Sequence, residues 1–116
     1  NYPSKDGTAI RDYIHVVDLA EAHILAANYL IKTQKNNVFN CGYGRGYTVK
    51  EVVNNFNKIY RNKLTYVYKD RREGDPFKSV ADVSKIKKIL KWKPKLDSIE
   101  KILKSQLKWE KKINGK

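Results

Sequence analysis

The chain has one cysteine, no methionine and two histidines among its 116 residues, and each scarcity excludes something. A lone Cys41 cannot form an internal disulfide, so a reducing cytoplasm is the expected compartment. His15 and His23 lie in different expected elements with no cysteine cluster near either, which is not the spacing of a metal site. His15 sits in an apolar stretch and reads as a satisfied core histidine. No apolar run approaches the roughly 18 residues of a membrane span, and no secretory pattern is present, so no membrane partner is expected. The absence of methionine and the start at Asn1 make a segment of a longer protein the expectation. Acids are scarce as well, 12 against 25 Lys and Arg, for a formal charge of +13.

What is there is enough for one domain with a core, burying on the order of 65% of its unfolded surface. The charge is uneven. Residues 85–116 carry 12 Lys against Asp97, Glu100 and Glu110, and these lysines alternate with an apolar stripe. That pattern is expected of the solvated side of amphipathic helices, with a polyanion-binding surface as the alternative.

The expected elements alternate strand and helix. Asn1–Thr8 is a turn-rich entry loop, Ala9–Val17 an extended, nearly continuous apolar strand, and Asp18 the N-cap of a helix over Leu19–Ile31 with Leu19, Ala22, Ala26 and Leu30 inward. Asn37–Cys41 is a short strand and Gly42–Gly46 a glycine loop. Thr48 with Glu51 forms a capping box for a helix whose face is Val52, Val53, Phe56, Ile59 and Tyr60. Leu64–Tyr68 is a third strand. Asp82 caps a helix ended by Pro94, and Asp97 with Glu100 caps a last helix that stops at Asn114-Gly115. The fold class is α/β with a more helical C-terminal end.

The loop after the third strand, Arg71-Arg72-Glu73-Gly74-Asp75-Pro76, is the strongest functional candidate. Arginine presents a planar fork of donors to a phosphate or carboxylate, and a nearby acid can take sugar hydroxyls. A solvated ion-pair loop is the bland alternative. Arg11, at a strand mouth beside Asp12, is poorly explained by packing; with Arg71 and Arg72 it makes a cationic pocket for a diphosphate. The glycine loop has its glycines at first, third and fifth positions, with Tyr47 where a dinucleotide fingerprint needs the last, so it reads as an ordinary βα turn.

The stretch Thr8-Ala9-Ile10-Arg11-Asp12-Tyr13-Ile14-His15-Val16-Val17-Asp18-Leu19-Ala20, the arginine loop, Ala81-Asp82-Val83-Ser84-Lys85-Ile86 and Leu90-Lys91-Trp92-Lys93-Pro94 together resemble the C-terminal third of the UDP-glucose 4-epimerases. These are a branch of the extended short-chain dehydrogenase/reductase family, and the resemblance runs over essentially the whole chain. It implies the C-terminal, substrate-binding portion of a Rossmann-type enzyme, with about residues 9–47 packing against a Rossmann half that this chain lacks. In such an enzyme a tyrosine removes the proton of the sugar 4-hydroxyl, NAD takes the hydride from that carbon, and the keto-sugar turns over before the hydride returns. By position Arg11 and Arg72 would contact the diphosphate of a UDP-sugar and Asp75 a ribose hydroxyl, with Arg71 and Ser79 as further candidates. Ser79 and Val80 depart from an aromatic pair found in some members, which bears on sugar specificity. None of the eight tyrosines has a lysine four residues later, so no catalytic residue, metal ligand or NAD contact is expected here, and this chain alone would be inactive. The implied partners are the UDP-sugar, the Rossmann half and, in the full enzyme, a homodimer. The open alternative is a basic module binding nucleic acid or another polyanion.

Overall fold

The computed structural model describes residues 2–61 and 64–115; Asn1 of the expected entry loop lies outside them. Chain order is β1 (Ile10–Arg11), α1 (Val16–Thr33), β2 (Tyr47–Thr48), α2 (Val49–Tyr60), β3 (Lys78–Ser79), α3 (Ser84–Leu90) and α4 (Ile99–Ile113). The strands form one sheet in the order β2-β1-β3, antiparallel on one side of β1 and parallel on the other. Ile10 is registered with Thr48 and Lys78, and Arg11 with Tyr47 and Ser79. The α/β class is as expected.

The strands are shorter than expected and partly elsewhere. The strand anticipated over Ala9–Val17 is reduced to Ile10–Arg11, because α1 already begins at Val16. Asn37–Cys41 and Leu64–Tyr68 belong to no ladder among the described residues, and β-branched composition makes a strand only where a neighbour takes its hydrogen bonds. Lys78–Ser79 of β3 has no such composition, whereas Tyr47–Thr48 of β2 does; both two-residue ladders form because their segments lie against β1.

Helix signals were more local and fared better. Thr48 and Glu51 form the full capping box of α2. α4 ends on Asn114, whose amide donates to Glu110 O. Two caps differ. His15, not Asp18, is the N-cap of α1, its Nδ1 accepting from Val17 N at 3.1 Å. Ser98 caps α4, while Asp97 pairs with Arg45 at 2.7 Å and Glu100 with Lys104.

The core gathers Ala22, Tyr43, Ile86, Leu90 and Trp92, with Leu25, Ala26, Tyr29, Phe39 and Ile102 packed on it. Leu30, expected inward, is exposed, and Leu25 and Tyr29 take that side of α1. At the centre is Asp18, 1% exposed. Its carboxylate accepts from Tyr43 Oη at 2.6 Å and from the Lys95 and Leu96 amides at 3.0 and 2.9 Å, and its carbonyl accepts from Trp92 Nε1 at 3.2 Å. Burial raises the Asp18 carboxyl, but these bonds outweigh it and leave the group below the usual aspartate range. One carboxylate thus ties α1 to the glycine loop and to the α3–α4 connection.

A second surface of α1 is uncovered. Val17, Ile24 and Ile31 repeat every seven residues, and Ile24 and Ile31 are 60% and 70% exposed; Ala20 and Ala27 lie between them, also exposed. A helix apolar on two sides belongs between two layers. The total accessible surface is 8904 Å², whereas a compact monomer of 13.5 kDa exposes about 6500 Å². The radius of gyration, 16.8 Å, likewise exceeds the roughly 13 Å of a compact chain this long.

Candidate functional site

The sheet brings together residues that are far apart in sequence. Arg11, half-buried on β1, donates from Nη2 to Asp75 Oδ1 at 2.5 Å across 64 residues of chain, and from Nη1 to the carbonyl of Ile10 at 2.7 Å. Parallel pairing of β1 with β3 makes this possible, since Ile10 N donates to Phe77 O and so draws in the loop preceding β3. Gly74, at φ +74°, turns that loop, and Asp75 N closes it on Arg72 O at 3.2 Å; the left-handed backbone is why a glycine stands there.

Around this pair opens a cleft of about 1020 Å³. Arg11, Lys50, Lys69 and Arg72 supply cations to its wall, Tyr2, Tyr66 and Tyr68 supply rings, and Asp75 is its partly buried carboxylate. Tyr66 and Tyr68 meet edge to face with centroids 5.5 Å apart. Lys50, in the first turn of α2, is raised chiefly by the nearby Tyr68 hydroxyl. Asp75 is held below the usual carboxylate range, first by the Tyr2 hydroxyl and then by Arg11 and Arg72. Asp70 and Glu73 also line the cleft, so four cations face three carboxylates; this excess of positive charge, the rings and the half-buried Asp75 suit a phosphorylated ligand carrying a planar ring and hydroxyls.

Of the residues singled out from sequence, Arg11, Arg72 and Asp75 share the cleft. Arg72 is exposed there, with its guanidinium available to a ligand. Arg71 is committed inside the loop, donating from Nε and Nη2 to Asp75 O at 3.0 and 2.6 Å and lying over the Tyr2 ring. Ser79 is exposed on β3 beside Arg11 but does not line the cleft. Sequence reasoning missed Tyr2; an aromatic in an otherwise polar turn was the signal available.

The glycine loop does not fit a dinucleotide. Its Tyr43 and Gly44 amides donate to the two oxygens of Asp12, both at 2.9 Å, and Ala81 N adds a third bond at 3.2 Å. The donors a pyrophosphate would need are taken, and by an anion that would repel it. A Cβ on Gly42 would meet Asp12 Oδ2 at 2.5 Å, and one on Gly46 would meet Val80 Cγ2 at 2.8 Å. These glycines serve close packing. His23 Nδ1 is bonded to Leu19 O at 2.8 Å, and among the described residues no group of three His, Cys, Asp or Glu is placed to hold a metal. Among them also, no helix is long and apolar enough to cross a membrane.

Comparison with known proteins gives a consistent answer. The family model described as GDP-mannose 4,6 dehydratase matches residues 2–106. The UDP-glucose 4-epimerase of Azospirillum brasilense is 43% identical over 97% of this chain and 32% of its own length, and that of Lacticaseibacillus casei is 43% identical over 94% and 33%. Among solved structures, the Stenotrophomonas maltophila UDP-glucose 4-epimerase with bound NAD and formylated UDP-arabinopyranose superposes with a TM-score of 0.89 at 34% identity, covering 97% of this chain and 33% of that one. The Bifidobacterium longum enzyme in complex with NAD+ and UDP gives 0.83 at 40% identity, covering 96% and 32%. The chain spans about a third of the length of the curated relatives it matches. With its α/β fold, its ordered motifs and a family match across nine-tenths of its length, the chain belongs to the nucleotide-sugar epimerase and dehydratase family that the GDP-mannose 4,6 dehydratase model describes.

Proposed function

We propose that this chain is the UDP-sugar-binding portion of an NAD-dependent UDP-glucose/UDP-galactose 4-epimerase, an isomerase, and that it works against a Rossmann half. The observation that carries this reading is the convergence of Arg11, Arg72 and Asp75 on one cleft from positions 64 residues apart. Arg11 and Arg72 grip the diphosphate, Asp75 takes a ribose hydroxyl, and Arg71 braces the loop. Bound in the other half, NAD supplies hydride acceptance and return at the sugar; the residues here hold the nucleotide end still while the sugar presents either face. The roughly 2400 Å² by which the accessible surface exceeds that of a compact monomer is the size of a large domain interface. The Val17–Ile24–Ile31 stripe of α1 lies within residues 9–47, the region expected to meet that half.

Titration of UDP against the protein as the cell makes it, with CMP and a random oligonucleotide as controls, tests the reading. Each charge-assisted bond is worth about 1.5–3 kcal/mol, so Arg72→Ala is expected to weaken UDP binding by about tenfold to a hundredfold while CMP stays weak throughout. Binding of the oligonucleotide alone, falling steeply with salt, would replace this reading with that of a polyanion-binding module.

A further inference from the structure

We infer that Tyr2 is a positioning residue for the ribose of the bound nucleotide, its hydroxyl orienting the Asp75 carboxylate while its ring carries Arg71. The inference rests on the reading of the cleft as a UDP site. Tyr2 Oη donates to Asp75 Oδ2 at 2.5 Å from 73 residues away, and the Arg71 guanidinium carbon lies 5.1 Å from the centroid of the same ring. Arg71 in turn holds the Asp75 carbonyl with two donors. One tyrosine therefore fixes both ends of the arginine loop.

The carboxylate is oriented without being used up. Two oxygens offer about four acceptor positions; Arg11 takes one on Oδ1 and Tyr2 one on Oδ2, leaving room for a ligand hydroxyl. Tyr2 is itself braced. Its amide donates to Gly7 O, Thr8 N and Oγ1 both donate to Asp6 Oδ1, and Asp6 Oδ2 accepts from Thr48 at the head of α2. The phenol is thus presented to the cleft from a turn anchored on the same helix that carries Lys50. Packing does not explain it, because the ring is only half-buried and lines the cleft.

The test is titration of wild type and Tyr2→Phe, in the protein as the cell makes it, with UDP and with 2′,3′-dideoxy-UDP. Phenylalanine keeps the ring under Arg71 and deletes the hydroxyl. UDP affinity is expected to fall about fivefold to tenfold and dideoxy-UDP affinity less than twofold, as loss of one hydrogen bond acting through Asp75 requires. In the cycle with Asp75→Asn, the double variant is expected to bind UDP no more weakly than Asp75→Asn alone. Equal losses on both ligands, unchanged UDP affinity, or additive losses in the cycle would overturn the inference. Wild-type protein that binds no UDP would overturn the reading of the cleft first, and the role of Tyr2 with it.

Discussion

Replacing Asp18 should do more damage than any change in the cleft. The Asp18→Ala variant removes an almost fully buried carboxylate and strands three donors: the buried Tyr43 Oη and the partly buried Lys95 and Leu96 amides. Each unsatisfied buried donor costs about 1–3 kcal/mol. Because they share one site the losses are not fully additive, and about 3–5 kcal/mol is expected. That is a large part of the 5–15 kcal/mol typical of a domain. Asp18→Asn keeps one acceptor oxygen but turns N–H groups toward the remaining donors, so about 1–3 kcal/mol is expected. Urea denaturation read by tryptophan emission suits the question, since Trp92 is buried and bonded to Asp18 O whereas Trp109 is largely exposed. The Asp18 carboxyl is depressed in the folded state. Its contribution is therefore present above the unfolded aspartate value of about 3.9 and is lost as pH falls through the lower folded value. A loss below about 1 kcal/mol for Asp18→Ala, with Trp92 emission still that of a buried ring, would refute the hub.

Other consequences follow from the same geometry. Gly46→Ala would place a methyl 2.8 Å from Val80 Cγ2 and also against Ile10 Cγ2; about 1–3 kcal/mol of destabilisation is expected in thermal melts. Thr48→Ala removes the acceptor for the Glu51 amide and is expected to cost about 1 kcal/mol. The 116-residue chain alone should self-associate through α1, and Ile24→Lys with Ile31→Lys should shift it to monomer in sedimentation. A wild-type chain that sediments as a sharp monomer with a cooperative melt would count against an unpartnered α1 face.

What was legible in the sequence was whatever is encoded within a few residues. The Thr48–Glu51 box, the apolar face of α2 and the glycine turn at Gly74 depend on neighbours three to seven positions away. Asp18 was misread because an acid beside a helix start usually caps it; its actual donors, Tyr43, Lys95 and Leu96, lie 25 to 78 residues on. Strands failed for a related reason. Asn37–Cys41 and Leu64–Tyr68 have the composition of strands but no described neighbour to pair with, whereas Lys78–Ser79 has a neighbour and little composition. The cleft residues were found through the chemistry of the arginine loop and through a family resemblance. Neither could show that Arg11 bonds Asp75, or that Arg71 serves the loop instead of the ligand.

Conversion of UDP-galactose to UDP-glucose by the protein as the cell makes it, followed beside its Arg72→Ala variant, shows whether this cleft holds the substrate. Conversion by the wild type is expected, with KM raised about tenfold to a hundredfold in the variant, as loss of a diphosphate contact requires. Absence of conversion, or a variant whose KM is unchanged, would contradict that reading of the cleft.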